Sequence, residues 1–294
     1  MTFDWIAVDW GTSRLRAWAI EGGTPVAEAA SDEGMGRLSH AGFEPALRRL
    51  LDGWSAGAAT PIVACGMVGA RQGWVEAPYR AVPCPPLGGP LTRVPGGMAV
   101  HVVPGLRQDR PAADVMRGEE TQIAGFLSLN PGFDGTLCLP GSHTKWVQVS
   151  AGEVISFQTA MTGEIFAAIR DHTVLSHTLG ADWDDGAFAA AVSDGMSRPE
   201  ALAQRLFELR ARALLGEADG SATARASGLL VGAELAHARP YWLGMPVAVI
   251  GAPGLSARYA AALRAQGVEP VLARDAACTL AGLTGARALL GGSS

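Results

Sequence analysis

One local pattern, written twice, constrains the fold of this chain more than any other feature. The apolar run Trp5-Ile6-Ala7-Val8 ends in Asp9-Trp10, turns through Gly11-Thr12-Ser13, and resumes extended alternation at Leu15, Ala17, Trp18 and Ile20. In the second half, Thr136-Leu137-Cys138-Leu139 turns through Pro140-Gly141-Ser142-His143-Thr144-Lys145 and resumes at Trp146, Val147 and Val149. Each stretch reads as strand, hydroxyl-rich turn, strand, because Gly and Pro interrupt two apolar runs of strand length. A chain that repeats such a unit predicts two related lobes, each presenting one polar hairpin. The connector is expected near residues 126–134, which gives an N-terminal lobe over 1–128 and a C-terminal lobe over 129–294.

The remaining pattern alternates strand and helix, which indicates an α/β protein. Residues 43–54 carry Phe43, Leu47, Leu50 and Leu51 on one helical face. Residues 61–70 read as a buried strand running into a Gly-rich loop, and 78–111 as short strands and loops. Asp114 is a candidate N-cap for a helix that begins at the glutamates and runs to 129. Ser197 with Glu200 is a candidate capping box for a helix starting near Arg198, with Leu202, Leu206, Leu209 and Ala213 inward. Residues 246–268 read as a buried strand, a turn at Gly251-Ala252-Pro253-Gly254, and a helix ended by Gly267. Residues 275–290 read as a small-residue helix suited to close packing, with a place near a hinge between lobes.

Composition bounds the partners. A net charge of −5 and an isoelectric point near 5.7 supply no basic footprint for nucleic acid. No apolar run reaches the roughly 18 residues that span a bilayer, and the N-terminus lacks the basic and apolar regions of a signal peptide. The expectation is a cytoplasmic protein with neither a membrane nor a nucleic-acid partner. Cys65, Cys84, Cys138 and Cys278 form no C-x-x-C pair, which reads as reduced, packed thiols.

The two hairpins have the chemistry of phosphate sites. A Gly-rich turn offers backbone N–H groups and small hydroxyls to phosphate oxygens. In the first, Gly11, Thr12 and Ser13 can donate, Arg14 or Arg16 can neutralise charge, and Asp9 suits a hydrated Mg²⁺. In the second, Gly141, Ser142, His143 and Thr144 are the corresponding candidates, followed by Lys145. That lysine is the only one in a chain with 23 cationic residues, the rest being arginine, and its compact charge on a flexible stem can follow a phosphoryl group. The third element is the strand ending in Gly251, Ala252 and Gly254 at a helix N-terminus, where a flat ligand can approach bare backbone.

With these segments in hand, Val8-Asp9-Trp10-Gly11-Thr12-Ser13 resembles the first phosphate motif of the superfamily uniting sugar kinases, heat-shock ATPases and actin. Residues 66–79, 114–126, 139–147, 158–166, 228–236 and 249–263, taken in order, resemble the 2-dehydro-3-deoxygalactonokinase family over nearly the whole chain. The resemblance implies two ribonuclease-H-like lobes in an actin-like ATPase fold, with nucleotide in the cleft between them. It implies ATP and Mg²⁺ as cofactors and phosphorylation of 2-dehydro-3-deoxy-D-galactonate on its 6-hydroxyl, within De Ley–Doudoroff galactonate degradation. A homodimer is the candidate assembly. One departure is that the superfamily's second phosphate motif often begins Asp-x-Gly, whereas this chain has Leu139-Pro140-Gly141, so Asp9 is the better metal candidate.

Such a transfer needs a carboxylate to accept the hydroxyl proton. Two segments offer one: Glu119 and Glu120, an adjacent pair in a Gly-opened loop that is preferred and that the sequence does not separate, and Glu164, after Met161-Thr162-Gly163, which is also a candidate of the substrate site. The substrate's own carboxylate calls for a cation: Arg71 first, with Arg37 and Arg117 as alternatives, and Gln72, Trp74 and Tyr79 shaping the pocket. Two other readings share the scaffold: a polyphosphate or nucleotide phosphohydrolase, and a non-catalytic sugar-sensing protein. The acidic, lysine-poor composition argues against the polymer-binding channel of the first.

Overall fold

A computed structural model describes residues 2–217 and 219–291. The chain divides into two compact units, Met1–Phe133 with Val149–Ser156 and Asp275–Ser294, and Asp134–Gln148 with Phe157–Arg274.

The first unit opens as a meander, β1 (Trp5–Trp10), β2 (Leu15–Glu21) and β3 (Thr24–Ser31), followed by α1 (Phe43–Leu50) and β4 (Pro61–Gly66). Short strands follow: β5 (Tyr79–Ala81), β6 (Thr92–Arg93), β7 (Ala99–Val102), β8 (Gly105–Gln108) and β9 (Asp114–Met116), then α2 (Glu119–Leu129). The main sheet has the order β3-β2-β1-β4-β7-β6, antiparallel through β3, β2 and β1 and parallel from β1 to β4 to β7. Strands β5, β8 and β9 form a separate three-stranded sheet.

Period-two alternation decides which way β1 faces. Ile6, Val8 and Trp10 enter one core with Phe43 and Leu47 of α1. Trp5 and Ala7 enter the other, with Leu283 and Ala286 of the last helix. Asp9 therefore lies on the side of that last helix.

A second sheet repeats the plan with β10 (Gly135–Leu139), β11 (Thr144–Ser150) and β12 (Glu153–Ala160), of which Val149–Ser156 belong to the first unit and the rest to the second. Helices α3 (Thr162–His172), α4 (Asp185–Ser197), α5 (Leu202–Leu214), α6 (Ala222–His237) and α7 (Arg239–Trp242) precede β13 (Val247–Gly251), α8 (Pro253–Arg264) and β14 (Val271–Arg274). The sheet order is β12-β11-β10-β13-β14. Renumbered from β10, this sheet reads 3-2-1-4-5, the ribonuclease-H-like order, and the first sheet shares its 3-2-1-4 part before ending in β7 and β6. Phe188, Val231, Val249, Tyr259 and Leu263 fill the second core between α4, α6, α8 and the sheet.

The last helix, α9 (Asp275–Leu289), belongs to the first unit and packs on α2 with almost no separation. A methyl group on Gly282 would lie 1.9 Å from the Thr121 carbonyl oxygen, and one on Gly125 would lie 1.8 Å from that of Cys278. The small residues of 275–290 thus serve direct backbone contact.

Two local expectations fail. Asp114 opens strand β9, paired with Gln108 of β8, and the N-cap of α2 is Gly118. Ser197 ends α4, its hydroxyl donating to the Asp194 carbonyl, and forms no capping box with Glu200. Pro199 disfavours a helical conformation at Arg198, which breaks the chain between α4 and α5. The four cysteines are free, and no described helix is long and apolar enough to cross a membrane.

Candidate active site

In the first unit the candidate residues converge at one end of the sheet. β1 and β4 run parallel, with Asp9 beside Cys65 and Trp10 beside Gly66. Antiparallel pairing sets Arg16 of β2 opposite Asp9. Its guanidinium donates to Asp9 Oδ2 through Nε (3.2 Å) and Nη2 (2.6 Å), and Nη2 also reaches Asp275 Oδ2, at the start of α9, at 3.3 Å. One cation thus bridges two carboxylates in a half-buried corner. Asp9 Oδ1 faces the Cys65 thiol at 3.9 Å. Burial, then the Asp9 and Glu120 carboxylates, push that thiol's pKa well up.

Glu120 enters the same corner from the first turn of α2. The turn needs Gly118, whose φ of 106° is open to glycine and whose Cβ would stand 3.2 Å from the Gly66 Cα. Gly118 N donates to Glu120 Oε2 (2.6 Å) and Thr121 Oγ1 to Oε1 (2.8 Å). Glu119 instead accepts from Arg117 N at 3.0 Å. Glu120 is fully buried. Burial, then the Glu119 charge, raise its pKa to about 7 against these hydrogen bonds.

The first hairpin is closed by Gly11 N donating to Arg14 O at 2.9 Å. Thr12, Ser13 and Arg14 are exposed. Residues 35 and 36 lace onto the turn through Met35 N to Gly11 O (3.0 Å) and Gly36 N to Thr12 O (2.9 Å). The other substrate candidates are scattered. Arg71 and Gln72 are exposed, with Arg71 Nε 3.5 Å from Glu76 Oε1. Arg37 is exposed on a short 3-10 turn. Trp74 is a core residue, stacked on Phe43 at 6.3 Å and edge-on to Trp10 at 6.1 Å. Arg117 is buried over the Tyr79 ring at 4.3 Å and donates to the Ala77 carbonyl at 2.7 Å, so it fastens the 67–79 loop.

In the second unit, the turn over Gly141, Ser142 and His143 sits against the start of α3. Glu164 N donates to Ser142 O (2.9 Å), His143 Nε2 lies 2.6 Å from Glu164 Oε2, and a Cβ on Gly163 would stand 2.3 Å from Gly141 O. Thr144 is fully buried, its hydroxyl turned inward to Tyr259 at 2.9 Å. Lys145 is buried as well, and its Nζ donates to Thr159 Oγ1 at 2.7 Å.

The end of β13 borders the same turn, since a Cβ on Gly251 would meet Pro140 at 3.5 Å and Ser256 Oγ at 2.9 Å. The Ser256 hydroxyl, in the first turn of α8, is buried with no hydrogen-bond partner. Open space surrounds Gly254. Beside it, a cavity of about 380 Å³ is lined by Asp185, Phe188, Val192, Ala257 and Arg258, and the Arg258 guanidinium stacks on Trp183 at 3.5 Å.

Sequence reasoning missed Asp275, Cys65, Thr159 and Ser256. For Asp275 a signal existed, because an acidic residue opens a small-residue helix. Nothing local connects it to Arg16, 259 positions away. Among the described residues no three metal-ligating side chains cluster, so a divalent ion would depend on Asp9 and on the ligand's own oxygens.

Comparison with known proteins agrees with this architecture. The model of the 2-keto-3-deoxy-galactonokinase family matches residues 9–286. A Rhizobium meliloti (strain 1021) protein named as a probable 2-dehydro-3-deoxygalactonokinase is 41% identical over 274 residues, 90% of each chain. The 2-dehydro-3-deoxygalactonokinase of Escherichia coli (strain K12) is 35% identical over 275 residues, 92% of each. The crystal structure of a Sinorhizobium meliloti protein provisionally described as a 2-dehydro-3-deoxygalactonokinase superposes with a TM-score of 0.90 at 39% identity, covering 97% of this chain and 99% of that one. With a family match over residues 9–286 and two curated relatives at 35–41% identity, this chain belongs to the 2-keto-3-deoxy-galactonokinase family.

Proposed function

We propose that this protein transfers the γ-phosphoryl group of ATP to the 6-hydroxyl of 2-dehydro-3-deoxy-D-galactonate, giving the 6-phosphate and ADP. The hydroxyl oxygen forms a bond to the γ-phosphorus as the bond to the β,γ-bridging oxygen breaks, and the hydroxyl proton passes to a carboxylate. The observation that carries the reading is the acidic corner at the ends of β1 and β4. There a hydrogen-bonded Glu120 holds its proton to about 7, a value matched to accepting a proton near neutrality. Glu120 has no solvent exposure in this structure, so it acts as a base in a conformation that opens this corner to the sugar acid. Glu119 stays at the helix start as its charged neighbour.

Asp9, with Oδ1 turned away from Arg16, fits a Mg²⁺ ion, which would offset charge on the phosphates. Thr12, Ser13 and Arg14 of the first hairpin are exposed donors for phosphate oxygens, and Gly11 closes the turn that presents them. In the second, Gly141, Ser142 and His143 donate at the turn, and Lys145 supplies charge to the moving phosphoryl group. Gly251, Ala252 and Gly254 leave bare backbone for the nucleoside. The unpartnered Ser256 hydroxyl and the adjoining cavity support that assignment. Arg71 is the proposed partner of the substrate carboxylate, with Gln72 and Tyr79 as further pocket residues and Glu164 holding His143. The work of the second hairpin is thus electrostatic, and proton transfer belongs to the first unit.

The test is coupled ADP release with Mg-ATP and 2-dehydro-3-deoxy-D-galactonate, its gluconate epimer, or no sugar acid. Release only with the galactonate form is the expected result. Release in the blank at a comparable rate would make the protein a phosphohydrolase.

A further inference from the structure

A buried polar cluster lies behind the second hairpin. Glu234 of α6 is buried, yet it is surrounded by donors. Trp146 Nε1 donates to its Oε1 at 2.8 Å and the Tyr259 hydroxyl to its Oε2 at 2.9 Å. The Thr162 and Thr144 hydroxyls are near enough to favour the charged carboxylate, and Thr144 Oγ1 lies 2.9 Å from the Tyr259 hydroxyl. Tyr259 has one proton and gives it to Glu234, so Thr144 is the donor in its contact with Tyr259. Trp146 and Tyr259 thus donate directly to one carboxylate, and Thr144 donates to Tyr259 behind them.

Those donors come from the segments that form the nucleotide site of the preceding proposal, on which this inference rests. Thr144 lies between His143 and Lys145. Thr162 opens α3, two residues before Glu164. Tyr259 belongs to α8, which begins just after Gly251 and Ala252. We infer that Glu234 is a positioning residue: through Thr144, Thr162 and Tyr259 it fixes the second hairpin against α8 and sets the spacing at which phosphate and nucleoside contacts are made. A buried charge satisfied by several donors holds them rigidly, and removing one member releases the rest. A corollary is that the Thr144 hydroxyl proton is committed inward. The phosphate contacts of this turn then fall to Ser142, His143, Lys145 and backbone N–H groups.

The experiment uses Glu234→Gln and Tyr259→Phe in the full-length protein. It measures KM for ATP and for 2-dehydro-3-deoxy-D-galactonate separately, and ATP binding by calorimetry without the sugar acid. Both variants should raise the KM and Kd for ATP about tenfold while the sugar-acid KM stays within about twofold, because both break the same hydrogen-bond chain. Glu234→Gln, which keeps an acceptor for the Trp146 indole, should lose less than Glu234→Ala. If Glu234→Gln loses its cooperative melt, Tyr259→Phe, which removes one oxygen atom, carries the test. A folded Tyr259→Phe with wild-type ATP affinity overturns the inference, and so does an equal rise in both KM values, which marks a purely structural role. Wild-type protein that binds no ATP sinks the kinase reading and this inference together; wild-type and variants binding ATP equally sink this inference alone.

Discussion

Replacing Glu120 by Gln should separate the chemistry of the acidic corner from its packing. The substitution keeps the shape. A Gln side-chain oxygen can accept from Gly118 N, and its amide can donate to Thr121 Oγ1, the two groups that now bond the carboxylate. What changes is charge. Burial and then Glu119 raise the carboxyl from 4.5 to about 7. Between those values the unfolded chain has released a proton that the folded protein still holds. The group's contribution to stability is therefore complete below the unfolded pKa and is lost as pH rises through about 7. The gap corresponds to about 3 kcal/mol, at about 1.4 kcal/mol per tenfold change in proton affinity, and is an upper bound. Above about pH 8, Glu120→Gln should thus be more stable than wild type by about 1–3 kcal/mol, with the advantage vanishing near pH 4. Turnover should fall by about 10²–10⁴-fold, the usual loss of a general base. Wild-type kcat/KM should rise with pH up to about 7 and then level. Urea melts at both pH values and coupled ADP release from about pH 6 to 9 read these effects. A variant within about threefold of wild-type turnover would refute the base role. A stability difference that does not change with pH would refute the buried-charge argument.

Three further outcomes follow from other contacts. Lys145→Arg should lower turnover about tenfold to a hundredfold, because a planar fork does not fit the buried site where Nζ meets Thr159; full turnover with full ATP affinity by calorimetry would refute a role for the lone lysine. Gly282→Ala should destabilise by about 3 kcal/mol or more, since the new methyl would sit 1.9 Å from the Thr121 carbonyl; a wild-type thermal melt would contradict the helix contact. Asp275→Asn leaves Arg16 with Asp9 alone and should cost about 1 kcal/mol near neutral pH, measured by urea titration. An unchanged midpoint would mean that the second arm of the bridge adds nothing.

Much of the fold was legible because its key signals are short-range. Strand, polar turn and strand at 5–20 and at 135–149 need only period-two alternation and a Gly-rich break, and their recurrence announced the pair of units. Legibility failed where distant or competing groups decide. Asp114 has the chemistry of a cap, but pairing with β8 claims it for a strand. Ser197 and Glu200 have capping-box spacing, yet Pro199 between them restricts the residue before it and lets α4 run to its end. Trp74 fits a sugar pocket in composition, but two neighbouring aromatic rings, Trp10 and Phe43, hold it in the core. Of the two adjacent glutamates, only the three-dimensional fold distinguishes the buried Glu120 from Glu119. The inward turn of Thr144 was equally hidden, because in sequence a hydroxyl in a Gly-rich hairpin looks free to meet phosphate.

The placement of α9 reaches into how the protein is made. Trp5, Trp18 and Ile20 are synthesised more than 200 residues ahead of Leu283 and Ala286, which close the core they enter. On the ribosome the earlier half must therefore wait, its sheet lacking a cover, until the second unit has emerged and α9 follows it. Birth order and completion order are reversed. A nascent chain stalled before Asp275 would expose the Trp5–Trp18 face and the glycine-notched side of α2. Chaperone capture during translation would then concentrate on the half made first.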